Sequence, residues 1–231
     1  MNNQIVSRED WLDARKALLE KEKEFTRLRD ELSQSRREMP WVKIEKEYQF
    51  DSNAGQVGLS DLFNGRSQLL IYHFMFGVEW EEGCPSCSFW ADGYNGTDIH
   101  LNHRDISFAV VSSAKLDKLN VYKARMGWTF NWVSSFGSEF NQDFHVTFSE
   151  ETKSPVYNYR PVESPGEELP GLSAFYKNDA GELFHTYSTY ARGMDMLNAT
   201  YHHMDLMPKG RDEANLPWSM AWLRRRDQYE S

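Results

Sequence analysis

From Arg8 to Arg37 apolar residues recur at alternating three- and four-residue steps: Trp11, Ala14, Leu18, Phe25, Leu28 and Leu32, with Lys21 in the remaining slot. This heptad-like stripe predicts one long helix over about Arg8 to Arg37. Ser7-Arg-Glu-Asp10 opens it as a variant of the capping box, and Met39-Pro40 ends it. Such a helix either lies on its own domain or packs on a second subunit.

Two later runs are continuous rather than periodic. Leu69 to Phe76 is apolar except for His73, and Ile106 to Ser112 is similar. Their length and composition predict strands buried on both faces, as in a parallel sheet. Before them, Trp41 to Phe50 reads as a strand with Ile44, Tyr48 and Phe50 on one side, and Leu59 to Phe63 as a short helical piece. After them, Leu116, Leu119, Tyr122 and Met126 mark a helix that Ser113 can cap and Gly127 can close. Phe144, Val146 and Phe148 alternate and predict a short strand, whereas the proline-rich stretch from Ser154 to Gly171 reads as a loop. Leu172 to Lys177, a tight turn, and Glu182 to Tyr187 predict a hairpin, followed by a helix over about Met194 to Leu206. Trp218, Trp222 and Tyr229 are expected to fold a tail back onto the body.

Parallel strands with crossover helices, then an antiparallel hairpin and a helix, predict an α/β, thioredoxin-like three-layer sandwich. The expected organisation is an N-terminal helical extension over 1–40, a thioredoxin-like domain over 41–207 and a C-terminal tail over 208–231. An insertion at about 128–171 precedes the hairpin.

Composition narrows the function. A hydrophobic content of 40% suffices for a sizeable core without covalent staples. A net charge of −9 disfavours nonspecific binding to nucleic acid or to acidic membranes. The N-terminal residues lack the apolar stretch of a signal peptide, and no run approaches the ~18 apolar residues of a membrane span. A cytoplasmic protein is expected. There, two cysteines two residues apart are redox-active or metal-binding more often than structural.

Those cysteines stand in Gly83-Cys-Pro-Ser-Cys-Ser88, after the first buried run and a short loop. Pro85 suits the first position of a helix, because its missing N–H is not needed there. Cys84 then occupies the N-cap, where free backbone N–H groups and the helix dipole favour thiolate. It is the expected nucleophile, and Cys87, one turn on, the expected resolving thiol. Two rival readings stand beside this one. The cysteines can be buried and inert, or Cys84 and Cys87 can join His100 and His103 in a zinc site, although that His pair is one residue tighter than usual.

The chain also resembles the thioredoxin-like domain-of-unknown-function family 899, whose members are described as dithiol–disulfide oxidoreductases. The matching stretches are Leu62-Phe-Asn-Gly-Arg-Ser-Gln-Leu-Leu-Ile-Tyr-His-Phe-Met75, Gly83-Cys-Pro-Ser-Cys-Ser88, Arg125-Met-Gly-Trp-Thr-Phe130, Trp132-Val-Ser-Ser135, His185-Thr-Tyr-Ser-Thr-Tyr-Ala-Arg-Gly193 and Gly210-Arg-Asp-Glu213. Cys-Pro-x-Cys looks like the glutaredoxin form of the motif. Thioredoxins carry a buried acid in the preceding strand, and the resemblance puts His73 at its position, as a candidate proton relay. Thioredoxin-like folds also place a cis-proline before the hairpin; Pro170 falls one residue early for that role. Leu59 to Phe63 looks like the corresponding stretch of peroxiredoxins, but these need Thr or Ser three residues before the reactive cysteine, where this chain has Glu81.

The resemblance and the motif together imply a thiol–disulfide oxidoreductase. It would use Cys84, Cys87 and His73 without a bound cofactor, on a disulfide-containing protein or a small thiol substrate. The rival from another class is a noncatalytic binding or assembly module on the same fold, with a homodimer through the N-terminal helix as a further expectation.

Overall fold

The computed structural model describes residues 3–230, so Met1, Asn2 and Ser231 lie outside it. The chain divides into two compact units, 1–40 and 41–231. The first is helix α1 (Arg8–Arg37), with the bounds its periodicity predicts. Ser7 is the N-cap, and its hydroxyl accepts the Asp10 N–H at 3.1 Å. Asp and Glu sit in the first turn and Arg in the last, complementing the helix dipole.

The second unit is built on an eight-stranded sheet. Its strands are β1 (Val42–Lys43), β2 (Gln49–Ser52), β3 (Gly55–Gly58), β4 (Gln68–His73), β5 (Ile106–Ser112), β6 (Asn131–Ser134), β9 (Gly171–Lys177) and β10 (Leu183–Tyr190). A separate small hairpin joins β7 (Val156–Tyr157) to β8 (Arg160–Pro161). The order across the large sheet is β1-β10-β9-β4-β5-β6-β2-β3. At its centre β4 runs parallel to β5 and antiparallel to β9, and β9 turns back into β10. This four-strand arrangement, with the first strand between its parallel partner and the hairpin, makes the fold thioredoxin-like.

Both sheet faces are buried, and alternation along β4 decides what each holds. Tyr72 and Phe74 point to one face, where they pack with Phe108, Val110 and Trp132 under helices α2 (Pro85–Tyr94), α4 (Leu116–Met126) and α6 (Ala199–Asp205). Leu69 and Ile71 point to the other, with Ala109, Val111, Phe175 and Phe140 of the short helix α5 (Phe140–Asp143). Trp128, Phe130 and Trp132 are core residues of the first face.

Several local expectations need correction. Trp41 to Phe50 is not one strand: Val42 pairs with His185 at one edge of the sheet, while β2 pairs with β6 near the other. The polar Glu45-Lys-Glu47 stretch carries the chain between them, and β2 then forms its own hairpin with β3. The segment after Gly127 contains the unforeseen strand β6, parallel to β5. Phe144, Val146 and Phe148 are buried but form no strand; only Thr147 bridges to Glu168. Ser113 does not cap α4, whose N-cap is Lys115; its hydroxyl is turned to the Phe76 carbonyl and to Glu168. The helix foreseen over 194–206 is a 3₁₀ segment, Ala191–Leu197, followed by α6. Among the described residues no helix is long and apolar enough to cross a membrane.

The tail returns to the body through Trp222, whose ring packs edge-on against Phe89 at 5.9 Å, and through Arg225. Trp218 stays exposed. Arg225 donates to the Gly83 carbonyl at 2.7 Å and to the Tyr122 hydroxyl at 2.9 Å, and pairs with Glu82 at 2.8 Å. Replacing this half-buried hub with an apolar residue of similar length leaves the Gly83 carbonyl only the long 3.4 Å contact from the Tyr122 hydroxyl and leaves Glu82 without this partner. Arg225→Met is therefore expected to cost about 2 kcal/mol, lowering the melting temperature by roughly 5 °C. An unchanged melting temperature would show that the tail does not hold this loop.

Candidate active site

Beyond His73 the chain stays extended for three residues, then loops to Cys84. The Met75 backbone ties this loop to the helix that follows. Its carbonyl accepts the Cys84 N–H at 3.0 Å, and its own N–H donates to the Cys87 sulfur at 3.4 Å. Cys84 is the N-cap of α2 and Pro85 its first residue, as the motif predicts. Ser88, one turn on, donates its backbone N–H and its hydroxyl to the Cys84 carbonyl, at 3.0 and 2.9 Å. Gly83 is required by close approach: a Cβ there would lie 2.7 Å from the Phe74 ring and 2.9 Å from Tyr122.

Both cysteines are reduced; Cys84 is partly accessible and Cys87 buried. Their environments push the thiols apart. Cys84 is held down to about 6, chiefly because the Cys87 thiol donates to its sulfur, and further by the Ser86 and Cys87 amides, against a raising effect of burial. Cys87 is pushed well above the ordinary thiol value by burial first and by the neighbouring Cys84 sulfur second. Near neutral pH the pair is thus a thiolate at Cys84 and a thiol at Cys87, the state that disulfide attack requires.

His73 is not part of this arrangement. Strand alternation turns it to the opposite face from Tyr72 and Cys87, where its ring stacks on Phe140 and Phe144. Its Nε2 lies 2.8 Å from the Ser173 hydroxyl, which continues through Ser188 to His185. Burial first, then the nearby His185, hold its pKa down to about 3, so the ring is neutral. The group that reaches Cys87 is Tyr72, which is itself buried and whose hydroxyl donates to the Cys87 carbonyl at 3.5 Å. The sequence held the signal: on one strand, 72 and 73 face opposite ways.

The zinc arrangement is not assembled either. His100 and His103 are exposed at the end of helix α3 (Thr97–Asn102), and no group of three metal-binding side chains is brought together among the described residues. Glu81 stands exposed on the loop, without the hydroxyl that the peroxiredoxin comparison calls for.

A cavity of about 210 Å³ opens beside Cys87. Tyr72, Met75, Trp90, Pro170, Met194 and Met220 give it an almost wholly apolar wall, with Arg192 and Asp195 also bordering it. Every described peptide bond is trans, that before Pro170 included. The inserted segment holds Pro170 in place: the Tyr157 hydroxyl donates to its carbonyl at 2.6 Å and accepts the Ala191 N–H at 3.1 Å. Sequence reading missed this wall because its residues come from five separate segments.

It also missed Glu168. This carboxylate is buried, accepts from Ser113 and from Thr147 at 2.9 Å, and is pushed up to about 7 by burial.

With the fold and site described, the family can be given. The chain matches, over residues 1–229, the family described as bacterial protein of unknown function (DUF899), and belongs to it. A comparison with curated proteins found no match. Among solved structures it is similar to a mutant of PrxQ from Xylella fastidiosa (16% identity, 68% of this chain and 89% of that one, TM-score 0.41). It is likewise similar to the peroxidoxin BcpB from Mycobacterium tuberculosis (10%, 70% and 95%, 0.43). A third is a candidate thiol:disulfide interchange protein, DsbE, from Chlorobium tepidum (12%, 64% and 86%, 0.40). The strand order, not these distant likenesses, makes the fold thioredoxin-like.

Two expected outcomes follow from the titrations. The rate of Cys84 alkylation should rise with pH to half its plateau near pH 6, with Cys87 unmodified over the same period; a midpoint near the ordinary thiol value of 9.0 would contradict the site electrostatics. Glu168 has a folded-state pKa above its unfolded value, so its contribution is fully present below about pH 4.5 and is lost as pH rises through 7. Glu168→Gln should therefore gain as much as ~2 kcal/mol on the parent at pH 8 relative to pH 5, measured by urea unfolding at both. Equal differences at the two pH values would show that Glu168 does not titrate with folding.

Proposed function

We propose that the protein is a thiol–disulfide oxidoreductase acting through Cys84 and Cys87. The observation that carries this reading is the division of the pair: an accessible sulfur at a helix N-terminus, stabilised as thiolate, beside a buried thiol one turn away. The same division argues against a noncatalytic module, in which nothing would select for an activated cysteine.

The Cys84 thiolate attacks one sulfur of a substrate disulfide, forming a mixed disulfide and expelling the other substrate sulfur as a thiolate, which takes a proton from solvent. Cys87 then gives up its proton and attacks the Cys84 sulfur. The Cys84–Cys87 disulfide forms, and the second substrate thiol leaves. The substrate gains two electrons, the pair loses two, and an external dithiol or two external thiols restore it. The low pKa of Cys84 serves the first step, because it keeps the attacking sulfur as thiolate near neutral pH. The apolar cavity supports a substrate with an apolar group next to its disulfide.

Cys84→Ser should abolish dithiothreitol-driven reduction of insulin disulfides, whereas Cys87→Ser should accumulate a mixed disulfide visible as a mass increase. Retained turnover in Cys84→Ser would refute the assignment. No mixed disulfide in Cys87→Ser would remove Cys87 from the resolving role.

A further inference from the structure

Helix α1, taken by itself, buries none of its residues. Its stripe is open to solvent: Leu18 is 51% exposed, Phe25 66%, Leu28 56% and Leu32 50%. The spacing admits one heptad frame. Trp11, Leu18, Phe25 and Leu32 occupy the a positions; Ala14, Lys21, Leu28 and Ser35 occupy d.

The flanking charges then sort by sign. The g positions are Asp10, Ala17, Glu24 and Glu31, and contain no base. The e positions are Arg15, Glu22, Arg29 and Arg36. In a parallel pair each g residue faces the e residue five positions on in the other helix. That sets Asp10 against Arg15, Glu24 against Arg29 and Glu31 against Arg36. Only Ala17 against Glu22 carries no attraction. An antiparallel pair instead sets g against g, placing acid on acid wherever Ala17 is not involved.

We propose that α1 is the dimerisation element of this protein, pairing with α1 of a second copy as a parallel two-stranded coiled coil. The occupant of the apolar stripe is another copy because the stripe's own flanks are complementary to themselves in that orientation. Lys21 and Ser35 at core d positions fit the same reading, since polar core residues set register at a cost in affinity. Thirty residues give a helix of about 45 Å, long enough for some four heptads of contact. In the single chain Arg15 pairs with Glu22 of its own helix at 2.8 Å, an exposed contact that can exchange for an intermolecular one. The inference is independent of the redox reading.

The test is the mass of the full chain by sedimentation equilibrium, with helicity checked by circular dichroism. A dimer is expected, and Phe25→Asp should make it monomeric while leaving the body folded. Arg29→Glu should weaken dimerisation by about tenfold, because two attractive pairs become repulsive. Adding Glu24→Arg should restore most of the loss, because the reversed pair faces itself again only when the helices run parallel. A monomer at all concentrations, or a dimer indifferent to Phe25→Asp, would overturn the proposal. A dimer in which the double reversal gives no recovery would overturn the parallel arrangement.

Discussion

The Met75 backbone is the point on which the site depends. The Met75 carbonyl accepts from the Cys84 amide and the Met75 N–H, in the adjoining peptide plane, donates to the Cys87 sulfur, so the backbone of one residue fixes both cysteines just past the central strand. That strand is hydrogen-bonded on both sides, to β5 and to β9, and cannot shift without breaking two ladders. The rigidity of the sheet core is thereby passed to the sulfur atoms. The glycine before Cys84 then follows from packing, since a side chain there would meet Phe74 and Tyr122 and push the loop off the strand end.

Once the cysteines are held, their chemistry follows from how much solvent and how many donors each sulfur meets. Cys84 has access and donors; Cys87 has neither in comparable measure. A thiolate needs something to replace water, and at Cys84 the helix-start amides and the Cys87 thiol do so. The cost falls on Cys87, whose proton is retained by burial. Apart from burial, the groups acting on it are Cys84, Tyr72 and the Met75 amide. In the proposed mechanism, the neighbouring Cys84 charge that raises the Cys87 thiol is removed when the mixed disulfide forms.

Much of this was legible in the sequence, for identifiable reasons. Helix α1 and strand β5 are legible with their bounds because a long periodic stripe and a short, mostly apolar run each fit one structure. The start of α2 was readable because Pro85 and Cys84 are locally constrained. The β-hairpin before α6 was readable from its turn. Failures came where pairing partners are distant. Trp41 to Phe50 reads locally as one strand, yet the two ends belong to opposite regions of the sheet. The β6 strand, only four residues long, takes its extended form from β5 alongside. His73 was placed by analogy of position, whereas the pleat decides its face. Tyr72 and Glu168 became visible only through what surrounds them.

Two segments, one before β9 and one at the C-terminal end, border the cysteine site. The inserted segment sends Tyr157 to hold the Pro170 carbonyl and the backbone of Ala191, two elements of the apolar wall. The C-terminal tail sends Arg225 to the Gly83 carbonyl and Met220 to the same wall. A four-strand core with its helices would leave this side of the cysteines open. Here segments more than 50 residues apart in sequence close it, with polar anchors outside and methionines facing inward. Methionine is unbranched and polarizable, so a wall of Met75, Met194 and Met220 can fit apolar groups of different shapes without loss of contact. The anchors fix where the wall stands, and the methionines leave its surface adaptable. On the proposed function, substrate choice would rest on this wall and the thiol chemistry on the cysteine loop and its central strand.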